Sequence, residues 1–187
     1  GFKPGQTVAV VGLGVLGFAV VQLLLVFGAN PLIFSDQVCK HELFKKFALD
    51  NIYPKKSTNL NGNSNNVDLI INTSSNWQDY LLALKLAKLN GNIVCMGFPG
   101  RGESTIPFNP LDSQYFYDKN LSIKACGRFN DVLSFRKDIA YLFDLAINNK
   151  FDPFELISFE SSWDDLKLTY NVLESRKPGV LTSLIKW

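Results

Sequence analysis

The feature that most limits how this chain can fold is the run VAVVGLGVLGFAVVQLLLVFGANPLIF at residues 8–34. It is apolar over a length that would cross a bilayer. Yet Gly12, Gly14 and Gly17 punctuate its first half, and Asn30-Pro31 breaks its second. Glycine clusters and prolines end regular structure locally. The run therefore reads as a buried strand over 7–11, a tight turn, a helix over 15–27 closed by Gly28, and a second strand over 31–35 ending at Asp36. A strand apolar on both faces, leading into a helix apolar on nearly every side except Gln22, belongs inside a layered domain rather than in a membrane.

The rest of the chain repeats the alternation. Leu43, Phe44 and Phe47 give a helical spacing over 40–49, and the asparagine-rich stretch 53–66 reads as loop around a short strand. A strand follows over 67–72. A helix over 79–89 has Leu81, Leu82, Leu84, Leu86 and Leu89 on its apolar side, with Asn90-Gly91 as its stop. Further strands are expected over 92–96 and 121–126, with a turn at 97–100 between them. Strands alternating with helices predict an α/β fold: a Rossmann doubly wound parallel sheet with helices on both faces.

Beyond about residue 129 the character changes. A long amphipathic helix is expected over 132–148, then a strand over 155–159, a helix over 163–174, a turn at 176–179 and a strand over 180–185. This tail either extends the sheet or forms a second module. The expected division is a dinucleotide-binding domain over 1–129 and a C-terminal helix-strand segment over 130–187.

The glycines sit where chemistry needs them. GxGxxG alone is weak, but here it follows a strand, opens a helix, and is followed about 20 residues on by an acid, Asp36. Gly12 permits the tight turn, Gly14 leaves room for a pyrophosphate against the backbone, and Gly17 lets helix and sheet pack closely. The free N–H groups and positive end of the helix then face the phosphates. Asp36, at the tip of the second strand, is placed to accept hydrogen bonds from adenosine ribose hydroxyls. A 2′-phosphate would meet a like charge there, so NAD is expected over NADP, with Lys40 and His41 near enough to soften that preference.

Other classes find little support. Nineteen basic against 17 acidic residues, scattered along the chain, give no basic stripe for nucleic acid and no patch for a membrane surface. Cys39, Cys95 and Cys126 are few and far apart, which argues against a disulfide framework and for a reducing, cytoplasmic setting. His41 is the only histidine and lies far from Cys95 and Cys126, so no metal site and no catalytic residue is assigned.

The run KPGQTVAVVGLGVLGFAVVQLLLVFGANPLIFSD resembles the coenzyme domain of the medium-chain dehydrogenase/reductase family, of the zinc-type alcohol and polyol dehydrogenase kind. NVDLIINTSS resembles that family's fourth strand, LKLAKLNGNIVCMGFPG its next helix and fifth strand, and FNPLDSQYFYDKNLSIKACGRF its sixth. The stretch from FDPFELISF to LTSLIKW resembles its C-terminal end, so nearly the whole chain is covered. The resemblance implies that Gly12, Gly14, Val15, Leu16 and Gly17 form the pyrophosphate loop, with Asp36 the ribose acid. It implies that Thr73 and Ser74 line the cleft, and that Met96 and Gly97, with Ala125 and Cys126 on the next strand, flank the nicotinamide.

Two departures from the family pattern carry expectations. The family's preceding GroES-like domain, with its zinc ligands and proton relay, is not in these 187 residues, so the chain alone is expected to bind cofactor without turnover. Leu181-Thr182-Ser183 stand where some relatives carry a phosphate-reaching basic residue, and Ser158-Phe159 where the family has a histidine. The resemblance implies an NAD-dependent oxidoreductase acting on a secondary alcohol, polyol or sugar and its carbonyl, with zinc only in the absent domain. The alternatives are a non-catalytic NAD(H)-binding redox-sensing or assembly module, and a zinc-free reductase of the same family. Exposed apolar surface beyond about residue 130 is expected, as is a homo-oligomer, with 106–123 as a candidate interface by the same resemblance.

Overall fold

The computed structural model describes residues 2–36, 51–56, 62, 64–102, 105–126, 132–175, 177 and 179–187. Its centre is a six-stranded, all-parallel sheet built from β1 (Val8–Val11), β2 (Leu32–Phe34), β3 (Ile52–Tyr53), β4 (Val67–Asn72), β5 (Ala87–Cys95) and β6 (Ser122–Ala125). The strand order is β3-β2-β1-β4-β5-β6. That is the doubly wound Rossmann order, in which the chain reverses direction across the sheet between β1 and β4. All four residues of β1 are buried, as an apolar run paired on both edges requires. The expected fold class holds.

Two apolar layers cover the sheet. On one face α1 (Val15–Val26) packs Phe18, Val21 and Leu24 against Val8, Val10 and Ile33. On the other α2 (Trp77–Leu86) packs Tyr80, Leu82, Ala83, Leu84 and Leu86 against Ala9, Val11, Ile70 and Ile93. Successive β1 side chains alternate between these layers, as a period of two demands.

Helix α1 ends where the sequence places its stop. Gly28 takes φ +74°, its N–H donates to Leu25 O at 2.9 Å, and the Ala29 N–H donates to Leu24 O at 2.9 Å. This pair of bonds closes the last carbonyls of the helix in a Schellman motif. The one polar interruption of α1 also has a use. Gln22 is buried, accepts from the Asp152 N–H at 2.7 Å and donates through Nε2 to Asp152 O at 3.2 Å. Its amide thus pairs with a distant backbone as a neighbouring strand would.

Helix α2 departs from the expected bounds at both ends. It begins at Trp77 rather than 79 because Asn76 caps it, accepting from the Gln78 N–H at 2.7 Å. It ends at Leu86 rather than 89, and β5 starts at Ala87 rather than 92. Asn90-Gly91 lies inside that strand, with Asn90 at φ +60° and a register shift against β4 between Val67 and Leu69. The helix stops early because its last carbonyls are claimed from outside. The Asn65 and Asn66 N–H groups donate to Lys85 O and Leu86 O, each at 3.1 Å. Lys119 Nζ donates to Leu84 O at 2.6 Å and Ala87 O at 2.9 Å. The helix expected over 40–49 lies outside the described residues.

The C-terminal tail does not extend the large sheet. After α3 (Val132–Ile147) come β7 (Ile157–Ser162), α4 (Leu166–Glu174) and β8 (Thr182–Lys186). Strands β7 and β8 pair in parallel as a separate two-stranded sheet. A short 3-10 turn precedes β7 and another leads into α4, so strand and helix each start a few residues later than expected. Hydroxyls stitch this unit together: Thr169 Oγ1 donates to Ser161 Oγ at 2.8 Å, and Ser161 Oγ lies 3.2 Å from Ser183 Oγ. Leu156 and Leu181 pack into the α1 layer, which brings the tail beside the carboxyl end of β1.

Candidate functional site: a cleft at the carboxyl ends of β1, β2 and β4

In an open parallel sheet, a crevice forms beyond the strand ends where the winding direction reverses. Here that crevice is a cleft of about 640 Å³. Gly12, Gly14, Val15 and Leu16 form its floor, Asp36 and Lys55 one end, and Thr73 and Ser74 a wall. Leu173, Val180 and Leu181 reach it from the C-terminal unit.

The three loop glycines differ in what surrounds them. Gly12 has φ +93°, and a Cβ there would stand 2.8 Å from Thr73 Oγ1. Gly17 lies behind the loop, where a Cβ would stand 2.2 Å from Gly12 O. Both are explained by the packing of the turn on itself. Gly14 is not: it has an ordinary φ of −83°, and a Cβ built on it meets nothing within 4 Å. The space that a side chain would occupy at Gly14 opens into the cleft.

Gly14 is also the N-cap of α1, and no side chain caps this end. The first amides of a helix have no acceptor within it. Val15 and Leu16, in that first turn, line the cleft, so the positive end of a 12-residue helix is presented to it. Thr73 holds the opposite wall in place, its hydroxyl reaching Gly12 O at 3.0 Å and its N–H donating to Val11 O at 2.9 Å. Together these groups form a concave site at a helix N terminus, and the residues present fit the pyrophosphate of a dinucleotide.

Asp36 Oδ1 accepts from the Lys55 N–H at 3.3 Å. The Lys55 ammonium turns the other way and pairs with Asp79 Oδ2 at 2.6 Å. Lys55, Ser75, Leu173 and Val180 were not marked by the sequence, whereas Leu181 was, as the place where some relatives carry a phosphate-reaching basic residue. Lys55 sits in a polar loop with no periodicity, and only the short β3 beside β2 brings it next to Asp36.

The remaining sequence-predicted residues lie on neighbouring strand ends rather than in this cleft. The Met96 and Gly97 N–H groups donate to Asn72 O at 2.8 and 3.2 Å. Gly97 passes so close to β4 that a Cβ would stand 2.4 Å from Ser74 O. Ala125 pairs with Cys95, and the Cys126 N–H donates to Cys95 O at 2.8 Å. Cys126 is exposed, whereas burial pushes the Cys95 thiol up and keeps it protonated at neutral pH. Burial, and after it the neighbouring Cys95, raise Tyr80 to about 12. Lys40 lies outside the described residues. Among the described residues no group of three or more His, Cys, Asp or Glu is placed to hold a metal ion, and no helix is long and apolar enough to cross a membrane.

No protein-family model matches the chain. It is 35% identical over 115 residues to NADP-dependent alcohol dehydrogenase C 1 of Mycolicibacterium smegmatis, a match covering 59% of this chain and 32% of that protein. It is 33% identical over 111 residues to mannitol dehydrogenase of Petroselinum crispum, covering 58% of this chain and 33% of that one. Among solved structures, benzyl alcohol dehydrogenase from Acinetobacter calcoaceticus superposes with a TM-score of 0.77 at 19% identity, over 98% of this chain and 50% of that one. Acetophenone reductase from Geotrichum candidum, solved in complex with NAD, gives 0.72 at 23% identity, over 96% of this chain and 48% of that one. The chain thus spans about a third to a half of these proteins. These relatives and structural neighbours are named as alcohol dehydrogenases, a mannitol dehydrogenase and an acetophenone reductase.

Proposed function

We propose that this chain is the NAD(H)-binding part of an oxidoreductase that moves hydride between a nicotinamide and an alcohol or carbonyl substrate. The observation that carries the proposal is the empty space at Gly14. Gly12 and Gly17 are demanded by the fold, whereas Gly14 has no neighbour that a methyl group would strike. A glycine with ordinary backbone angles, at the uncapped N terminus of a helix and facing a cleft, leaves room for a ligand rather than for the protein.

The roles follow from position. Gly12, Gly14, Val15, Leu16 and Gly17 shape the pyrophosphate cradle. Asp36 receives the adenosine ribose. Thr73 and Ser74 form the wall along which the dinucleotide lies, and Met96, Gly97, Ala125 and Cys126 flank the nicotinamide end at β5 and β6. When bound, the nicotinamide supplies the hydride chemistry, and the residues named here hold and orient it. The alcohols and polyols in the relatives' names suggest the substrate class. We further propose that a zinc-bearing domain completes the active site and that the chain self-associates.

Titration of the chain with NADH and NADPH, followed by tryptophan quenching, tests the reading. NADH should bind, NADPH more weakly, and Asp36→Ala should erase the difference. Failure of folded wild-type protein to bind either nucleotide would overturn it.

A further inference from the structure

Among the described residues, Asp36 and Lys55 bring one negative and one positive side chain to this end of the cleft, and Asp79 pairs with Lys55. Among the described residues lining the cleft, Lys55 alone carries a cationic side chain. Its backbone N–H is bonded to Asp36 Oδ1 at 3.3 Å, so its Cα stands next to the carboxylate assigned to the ribose. Its ammonium is 2.6 Å from Asp79 Oδ2, and the pair is largely enclosed, with side-chain exposures of 21% and 9%. Asp79 belongs to the first turn of α2 on the far side of the loop.

We propose that Asp79 is a determinant of cofactor specificity: by tethering the Lys55 ammonium, it withholds from the cleft a cation that would offset a ribose 2′-phosphate. This rests on the dinucleotide reading above. A 2′-phosphate brings about two negative charges to the side of Asp36. It is accepted only where a lysine or arginine offsets them. Here the lysine is in the right place but committed elsewhere. Asp36, Lys55 and Asp79 together carry one net negative charge, which disfavours the phosphate and leaves a ribose diol unaffected. Lysine is a point charge on a flexible four-carbon stem, so loss of its partner lets the head swing while the backbone N–H stays bonded to Asp36. Preference for NAD is then set at two carboxylates, one touching the ribose and one acting through Lys55.

The test is a titration of wild type, Asp79→Asn and the double variant Asp79→Asn/Lys55→Met with NADH and NADPH. Circular dichroism melts confirm that each is folded. Asp79→Asn should bind NADPH about tenfold more tightly, the gain of one charge-assisted hydrogen bond, with NADH affinity unchanged. The double variant should lose that gain, which a merely structural role for Asp79 would not produce. An unchanged NADPH-to-NADH ratio in Asp79→Asn, with NADH still bound, overturns the inference and leaves the dinucleotide reading standing. A gain that survives in the double variant also overturns it. Absence of binding of both nucleotides to the wild type overturns the dinucleotide reading and this inference with it.

Discussion

Gly14 and Gly17 are three residues apart in one motif, yet the structure gives them opposite sensitivities. Adding a methyl group at Gly17 forces it onto Gly12 O, a backbone atom that cannot turn aside. Gly17→Ala should therefore cost about 1–3 kcal/mol, the usual penalty of overpacking, read as a lower urea midpoint. At Gly14 the methyl group meets open space, so Gly14→Ala should cost no more than about 1 kcal/mol, the scale of a changed N-cap. NADH affinity should nonetheless fall by about tenfold or more, because the methyl group occupies the volume assigned to the pyrophosphate. Equal loss of stability in both variants would show that the loop is only a packing device. That the glycines and Asp36 lie at strand ends was legible in the sequence, because each is fixed by its spacing from a strand. The sequence did not show Lys55 or Asp79 as partners, since their meeting depends on where a loop of no regular period is carried by β3.

At the scale of elements, boundaries move where a distant side chain competes for a helix end. Lys119 is the clearest case. It is far from α2 in sequence, yet its ammonium closes the carbonyls of Leu84 and Ala87, and burial lowers its affinity for a proton. Lys119→Met leaves those acceptors without their charged donor, and a loss of about 1–3 kcal/mol is expected. Amide exchange of residues 83–87 should accelerate more than that of α1. The strand ends carry a second electrostatic tie. Asp68 on β4 accepts from the Thr7 N–H at 3.0 Å and pairs with Lys88 on β5. Burial pulls its carboxyl upward, but the hydrogen bonds from Lys88 and Thr7 and the Lys88 charge outweigh that and hold it below the ordinary 3.8. A depressed folded value stabilises the protein fully above the unfolded value and ceases to do so as pH falls through the folded one. Asp68→Asn should cost about 1–2 kcal/mol at pH 6, with the gap to wild type closing toward about pH 2. A gap that stays constant with pH would assign the effect to packing instead. Apart from the two-residue β3, which stands at the edge of a polar stretch without periodicity, the described strands of the sheet were legible from apolar periodicity and glycine or asparagine stops. The α2–β5 boundary was not, because Asn90-Gly91 reads as a helix stop and serves instead as an irregularity within a strand.

Across the whole molecule the apolar residues divide unequally. The sheet and its two flanking helices bury most of their large side chains, with Leu16 and Leu89 as exposed exceptions, whereas α3 leaves Leu133 66%, Phe143 65% and Ile147 78% exposed. These three, with Ala140 between them, fall at intervals of three, four or seven and so share one face of the helix. Trp163 and Trp187 add a stacked, exposed pair on the small sheet, with ring centroids 6.3 Å apart. Apolar surface concentrated in this way marks a contact rather than a solvated face. The sequence indicated that this exposure begins beyond about residue 130, but left open whether the tail would join the main sheet. Strand pairing between β7 and β8 is long-range, and no local pattern encodes it. If the α3 face drives association between copies of the chain, sedimentation velocity should show mass rising with concentration, together with strong emission from an apolar dye. Phe143→Lys/Ile147→Glu should lower both. Because those side chains already face solvent, folding stability should change by no more than about 0.5 kcal/mol per site. A wild type that remains monomeric across the concentration range would locate the function of this face in a different partner, and an unaltered dye signal in the double variant would show that the exposed surface lies elsewhere on the tail.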